Sequence, residues 1–108
     1  NTSDIDAVFK NGQKFSSELI SLYYVGSNSK ELKIAFSVGK KSHSLASTRN
    51  KLKRLMKEAF RLNAVDIVGE VVSYNFVFVY FGSDKVSFVQ VEECMKSLLL
   101  SFRNKVLS

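Results

Sequence analysis

The sequence predicts an α+β sandwich: a small sheet of three or four strands with helices laid against one of its faces. Three observations lead there. Residues 18–25, 32–38 and 75–81 read as strands, with apolar alternation cleanest over 32–38 and an apolar run on both faces over 75–81, while apolar residues recur at helical spacing over residues 46–62 and 88–102. The resulting order is helix, two or three strands, helix, strand, helix, which fits helices packed on one side of a sheet. The chain has 108 residues, 45% of them apolar and 24% charged, which suits one folded domain spanning 1–108 and argues against a disordered basic tail.

Residues 4–10 predict a short first helix. Ser3 is placed to cap it, Gly12 follows its end, and Ile5, Val8 and Phe9 make a narrow apolar stripe. Lys14 and Phe15 can add a short edge strand. In residues 18–25, Ile20, Leu22 and Tyr24 point one way, while Leu19, Ser21, Tyr23 and Val25 point the other. The turn Gly26–Ser29 leads to a second strand with a core face of Leu32, Ile34, Phe36 and Val38. Its other face carries Lys33, Ala35 and Ser37, so the sheet has one buried and one open side. The run from Asn75 to Phe81 is apolar on both faces and belongs in the middle of the sheet. Residues 63–73 fit either an extension of the preceding helix or a packed loop. Ser87 with Gln90 forms a capping box for the last helix. That helix buries Phe88, Val91, Met95, Leu98, Leu99 and Phe102, and its outer side can pair Glu92 with Lys96.

The helix expected from Ala46 to about Leu62 dominates the electrostatics. Residues 40–61 hold eight Lys or Arg and one acid, Glu58, whereas the whole chain carries a formal charge of +6. The basic excess therefore sits in one fifth of the protein, and a focused positive field suits a polyanion. Leu45, Leu52, Leu55, Met56, Ala59 and Phe60 form the buried side of this helix. Asn50, Lys53, Arg54, Lys57 and Arg61 form the opposite side, with Arg49 and Lys51 flanking. A charged helix face is ordinarily just solvated surface. Here the face is almost purely cationic, and a solubility face mixes signs.

Arg49-Asn50-Lys51 with Lys53-Arg54, preceded by Ser37-Val38-Gly39-Lys40-Lys41 and followed by Lys57-Glu58-Ala59-Phe60-Arg61, resembles the Arg-Asn-Arg signature helix of the bacterial ribonuclease P protein family. The resemblance extends to Val8-Phe9-Lys10-Asn11-Gly12, to the Leu22-Tyr23 strand and to the final helix, so it covers nearly the whole chain. It implies a ribosomal S5 domain 2-like sandwich, with a small mixed sheet of about four strands, three helices and a left-handed strand–helix–strand crossover, against the usual right-handed rule. It implies a protein subunit that binds the catalytic RNA of ribonuclease P and the 5′ leader of precursor tRNA during 5′-end maturation. Chemistry in that family belongs to the RNA and its Mg2+, so no catalytic residue, protein-bound metal or other cofactor is expected here. The RNA-binding set is then Lys40, Lys41, Arg49, Asn50, Lys51, Lys53, Arg54, Lys57 and Arg61. The leader cleft is Phe9, Ser21, Tyr23, Lys33, Ala35 and Ser37. The chain departs from the family pattern at Lys51 and Lys57, where Arg is usual and a bidentate phosphate fork is lost. It also departs at Ile5, which stands where a stacking aromatic is usual, and in a loop over residues 42–48 that is poor in bases.

Other functions find little support in the residues. No nucleophile–base pair, phosphate loop or metal-ligand cluster is visible. The lone Cys94 can form neither an internal disulfide nor a Cys-rich zinc site, and the lone His43 has no visible partner for catalysis or metal binding. The longest apolar run is too short for a membrane span, and a cytoplasmic protein without an obligate protein partner is expected. The chain begins at Asn1 without methionine, which reads as a trimmed or processed start. The alternative reading is a ribosomal or ribosome-associated protein that uses the same fold to bind rRNA. A helix-turn-helix DNA binder would need a helix shortly before residue 46, where a strand is predicted instead.

Overall fold

A tight hairpin begins the sheet. The computed structural model describes residue 10 and residues 12–26, 33–39, 45–69 and 74–107, so all of the expected first helix except Lys10 lies outside the described residues. Strand β1 (Gln13–Ser16) turns through Ser17 into β2 (Ile20–Gly26). Ser17 closes the turn. Its N–H donates to the Ile20 carbonyl at 2.8 Å, its hydroxyl donates to the same oxygen at 2.7 Å, and the Ile20 N–H donates back to that hydroxyl at 3.2 Å. A serine side chain thus supplies the local bonding that lets the chain reverse.

β3 (Lys33–Val38) is joined to β4 (Tyr74–Tyr80) through the basic helix α1 (Ala46–Val68), and helix α2 (Phe88–Phe102) follows. The sheet order is β1-β2-β4-β3. β2 pairs antiparallel with β1 and β4, while β3 and β4 are parallel neighbours, so the sheet is mixed and α1 is the crossover between parallel strands. β4 occupies an interior position, as its two apolar faces predict. A short π-helical turn, Arg103–Leu107, continues from α2.

The register aligns Ile20, Leu22 and Tyr24 with Tyr80, Phe78 and Phe76, and aligns Ile34, Phe36 and Val38 with the same β4 residues. Both helices cover this face. Phe102 of α2 meets Phe76, Tyr24 and Tyr74 at ring distances of 4.8, 5.1 and 5.2 Å. Phe60 of α1 meets Phe78 at 5.6 Å and Phe36 at 6.2 Å. Edge-on rings at these distances lock each helix to its own half of the sheet, α1 over β3 and β4, α2 over β2 and β4.

α1 runs six residues past the expected end at Leu62. The reason lies in residues 63–68: Ala64 and Val68 are buried and Ile67 half-buried, which continues the apolar stripe. Gly69, at φ 69°, then stops the helix, and its N–H donates to the Val65 carbonyl at 3.0 Å. Leu45 was expected on the buried side and is instead 67% exposed. It is the N-cap residue, with extended backbone at φ −78° and ψ 126°, so its side chain leaves the helical period. The capping box of α2 forms as predicted: Gln90 N–H donates to the Ser87 hydroxyl at 3.3 Å and Ser87 N–H to the Gln90 side-chain oxygen at 2.9 Å. Asn63 Nδ2 donates to Glu92 Oε2 at 3.0 Å and ties α1 to α2. Past β4, a side chain at Gly82 would place its Cβ 2.3 Å from Leu19 Cδ2, so only glycine fits there without movement.

Candidate nucleic-acid interface

The exposed side of α1 is cationic in the folded chain as it is in the sequence. Asn50, Lys51, Arg54, Lys57 and Arg61 are exposed, and Arg49 and Lys53 are half-buried. A half-buried lysine packs its methylene stem against neighbours and keeps its ammonium in water. Lys40 and Lys41 lie outside the described residues.

The cations are not equivalent. Arg61 pairs with Glu58 one turn earlier, Nη2 on Oε1 and Nε on Oε2, the latter at 3.2 Å. The hydrogen bond from Arg61, aided by its charge, holds the Glu58 carboxyl below the usual carboxylate range and pushes the Arg61 guanidinium further up. The one acid of the basic stretch thus engages the last cation of the helix and leaves Lys51, Arg54 and Lys57 as its exposed cations outside that pair. Arg49, Lys53, Lys57 and Phe60 recur at i, i+4, i+8 and i+11, along one side of the helix. Because Phe60 packs on Phe36, this row runs beside β3, the edge strand, where it borders the sheet.

The sheet face turned away from the helices is organised in cross-strand rows. One row reads Lys14, Tyr23, Val77, Ala35, and the next Ser16, Ser21, Val79, Ser37. A third brings Val25, Asn75 and Lys33 together. Of the predicted cleft residues, Lys33 is exposed and Tyr23, Ala35 and Ser37 are half-buried. Ser21 is 6% exposed, and its hydroxyl lies 3.1 Å from that of Ser16, so it offers little to a ligand while Ser16 is exposed. Phe9 lies outside the described residues.

Three features of this face escaped the sequence reading. The Lys14 ammonium sits 5.5 Å from the centre of the Tyr23 ring. Val77 is buried at its middle, 2% exposed. Asn75 Oδ1 is buried without a hydrogen-bond partner. The alternation of Gln13 and Phe15 with Lys14 and Ser16 could have placed Lys14 on the open side, had β1 been paired in register with β2.

Among the described residues no group of three or more His, Cys, Asp or Glu gathers as metal ligands, and no helix is long and apolar enough to cross a membrane. Cys94 is a free, buried thiol. The perturbed tyrosines, Tyr24 and Tyr80, are both pushed up chiefly by burial, the opposite of activation as bases.

A cationic helix docked by aromatics beside a half-open mixed sheet defines a small α+β protein built to hold a polyanion. Comparison with known proteins narrows this class. Residues 1–103 match the family model for ribonuclease P. The chain is 33% identical over 98 residues to the ribonuclease P protein component of Clostridioides difficile, covering 90% of this chain and 83% of that protein. It is 34% identical over 98 residues to that of Clostridium kluyveri, covering 90% and 86%. The solved ribonuclease P protein of Thermotoga maritima superposes with a TM-score of 0.78 at 25% identity, over 93% of this chain and 92% of that one. The Staphylococcus aureus protein has the same fold, with a TM-score of 0.80 at 18% identity over 100% and 94%. The chain belongs to the bacterial ribonuclease P protein component family. It is an RNA-binding protein subunit of an endoribonuclease that works with an RNA subunit in maturing the 5′ ends of tRNA.

Proposed function

We propose that this chain is the non-catalytic, RNA-holding subunit of its ribonuclease P. In this reading α1 grips the catalytic RNA through Arg49, Asn50, Lys51, Lys53, Arg54, Lys57 and Arg61, together with Lys40 and Lys41. The open sheet face takes the 5′ leader of precursor tRNA against Phe9, Tyr23, Lys33, Ala35 and Ser37, with Ser21 beneath. Magnesium enters with the RNA, and the complex works in the cytoplasm without an obligate protein partner.

The observation that carries the reading is the sign purity of the exposed side of α1, with five cations and one acid over residues 50–61. Like charges along a helix repel, and phosphates relieve that repulsion. A half-buried aromatic, Tyr23, among small and polar neighbours is in turn the kind of surface on which single-stranded RNA stacks.

The test is to mix the chain with its cognate catalytic RNA and precursor tRNA at limiting magnesium. A gain in correct 5′ processing is expected, and no gain would refute the proposal. The protein alone supplies the second arm. One solved Staphylococcus aureus structure is of a mutant "with defective mRNA degradation activity". RNA cleavage by this chain without its RNA subunit would overturn the non-catalytic part.

A further inference from the structure

We propose that Lys14, on edge strand β1, is a leader-phosphate contact that works as a pair with Tyr23, so that the leader path runs across the whole sheet to its β1 edge. The inference rests on the reading that the open face takes the leader.

The pairing is fixed by the fold. Lys14 and Tyr23 are register partners in the β1–β2 hairpin, and the Lys14 ammonium lies 5.5 Å from the ring centre. β1 cannot slip, because the next residue, Phe15, stacks on Tyr24 on the core side at 5.4 Å with an interplanar angle of 15°. Lys14 is therefore held on the open side, exposed, beside a half-buried aromatic. Lys33 stands exposed on β3, the opposite edge of the same face. Three strand spacings, about 14 Å, separate the two edges. That is room for only a few nucleotides, with a cation at each end and a ring between.

A cation beside a half-buried surface ring is a weaker contact than a base stacked on that ring together with a phosphate at that cation. A leader base on Tyr23 would displace the ammonium from the ring towards the adjoining phosphate, so both groups exchange one partner for a stronger one. Neither interaction reads base edges. The pair recognises the backbone and the flat face of a base.

The test compares the reconstituted holoenzyme carrying Lys14→Ala, Lys14→Arg, Tyr23→Ala or Lys85→Ala. Binding is measured to precursor tRNA with a leader long enough to cross the sheet and to the same tRNA without a leader. Lys14→Ala is expected to weaken binding of the leader-bearing RNA only. It should lower the magnitude of the salt slope by about 0.7, so that its deficit shrinks about 2.6-fold between 50 and 200 mM salt. Lys14→Arg should retain both, and Lys85→Ala, at an exposed lysine between β4 and α2, should change neither. Unchanged affinity and slope in Lys14→Ala, or an equal loss on tRNA without a leader, would overturn the proposal. If Tyr23→Ala loses leader-dependent affinity while Lys14→Ala does not, Lys14 alone is excluded. If neither variant loses it, the leader-on-sheet reading itself fails.

Discussion

The unequal cations of α1 give a quantitative prediction. Arg54 and Lys57 are exposed, whereas Arg61 is engaged by Glu58. Each phosphate neutralised on a duplex contributes about 0.9 to the slope of log affinity against log salt. Replacing Arg54 and Lys57 together by Ala should therefore reduce the slope for the catalytic RNA by about 1.8. Over a fourfold change in salt, from 50 to 200 mM, the deficit of the double variant should then shrink about twelvefold. Arg61→Ala should move the slope by clearly less than one cation's share, and Glu58→Gln should raise both affinity and slope by releasing the guanidinium. The Glu58 carboxyl is held below its ordinary value by Arg61, so the pair is intact at neutral pH and is lost only as pH falls through the lowered value. Equilibrium binding of labelled catalytic RNA across a salt series reads all four proteins. A slope loss for Arg61→Ala as large as half that of the double variant, or a Glu58→Gln variant indistinguishable from wild type, would refute the reasoning.

Three further outcomes follow from the packing. Phe78→Ala removes a fully buried ring that stacks on Phe36 at 5.4 Å and meets Phe60, and should cost about 3–5 kcal/mol of unfolding free energy by denaturant titration; a loss below 1 kcal/mol would contradict the docking of α1 described above. Gly82→Ala forces a Cβ towards Leu19 and the Tyr80 ring, and should destabilise by about 1–3 kcal/mol, whereas Gly26→Ala meets nothing and should be milder. Burial raises the folded pKa of Tyr24 and Tyr80 above 10.0, so their contribution is complete below pH 10 and is lost as pH rises through the folded values; phenolate absorbance showing both tyrosines ionising at their ordinary pKa would remove this source of alkaline instability.

Local rules reached far in this chain because its patterns are clean. Alternation on both faces placed β4 in the interior, and the Ser87–Gln90 box marked the start of α2. Residues 63–68 were harder. Val65 and Asp66 are exposed and interrupt the apolar stripe, and only burial in the folded core shows that Ala64 and Val68 continue it. Leu45 misled because an apolar residue at helical spacing takes a helical direction only inside the helix, and the N-cap lies outside it. The Asn63–Glu92 bond joins residues 29 apart, and the Lys14–Tyr23 contact depends on the register of a hairpin. Both are products of tertiary placement, which periodicity does not encode. The cationic side of α1 was legible because it is local, whereas the composition of the open face emerges only once four strands are in register.

The central claim is that two surfaces of this small protein hold two different RNAs. A crosslinking map tests it most directly, with photoreactive groups at positions 23 and 53 of the reconstituted enzyme bound to precursor tRNA. Crosslinks are expected from position 53 to the catalytic RNA and from position 23 to the 5′ leader. Crosslinks from both positions to the same RNA, or from position 23 to the body of the tRNA alone, would contradict it.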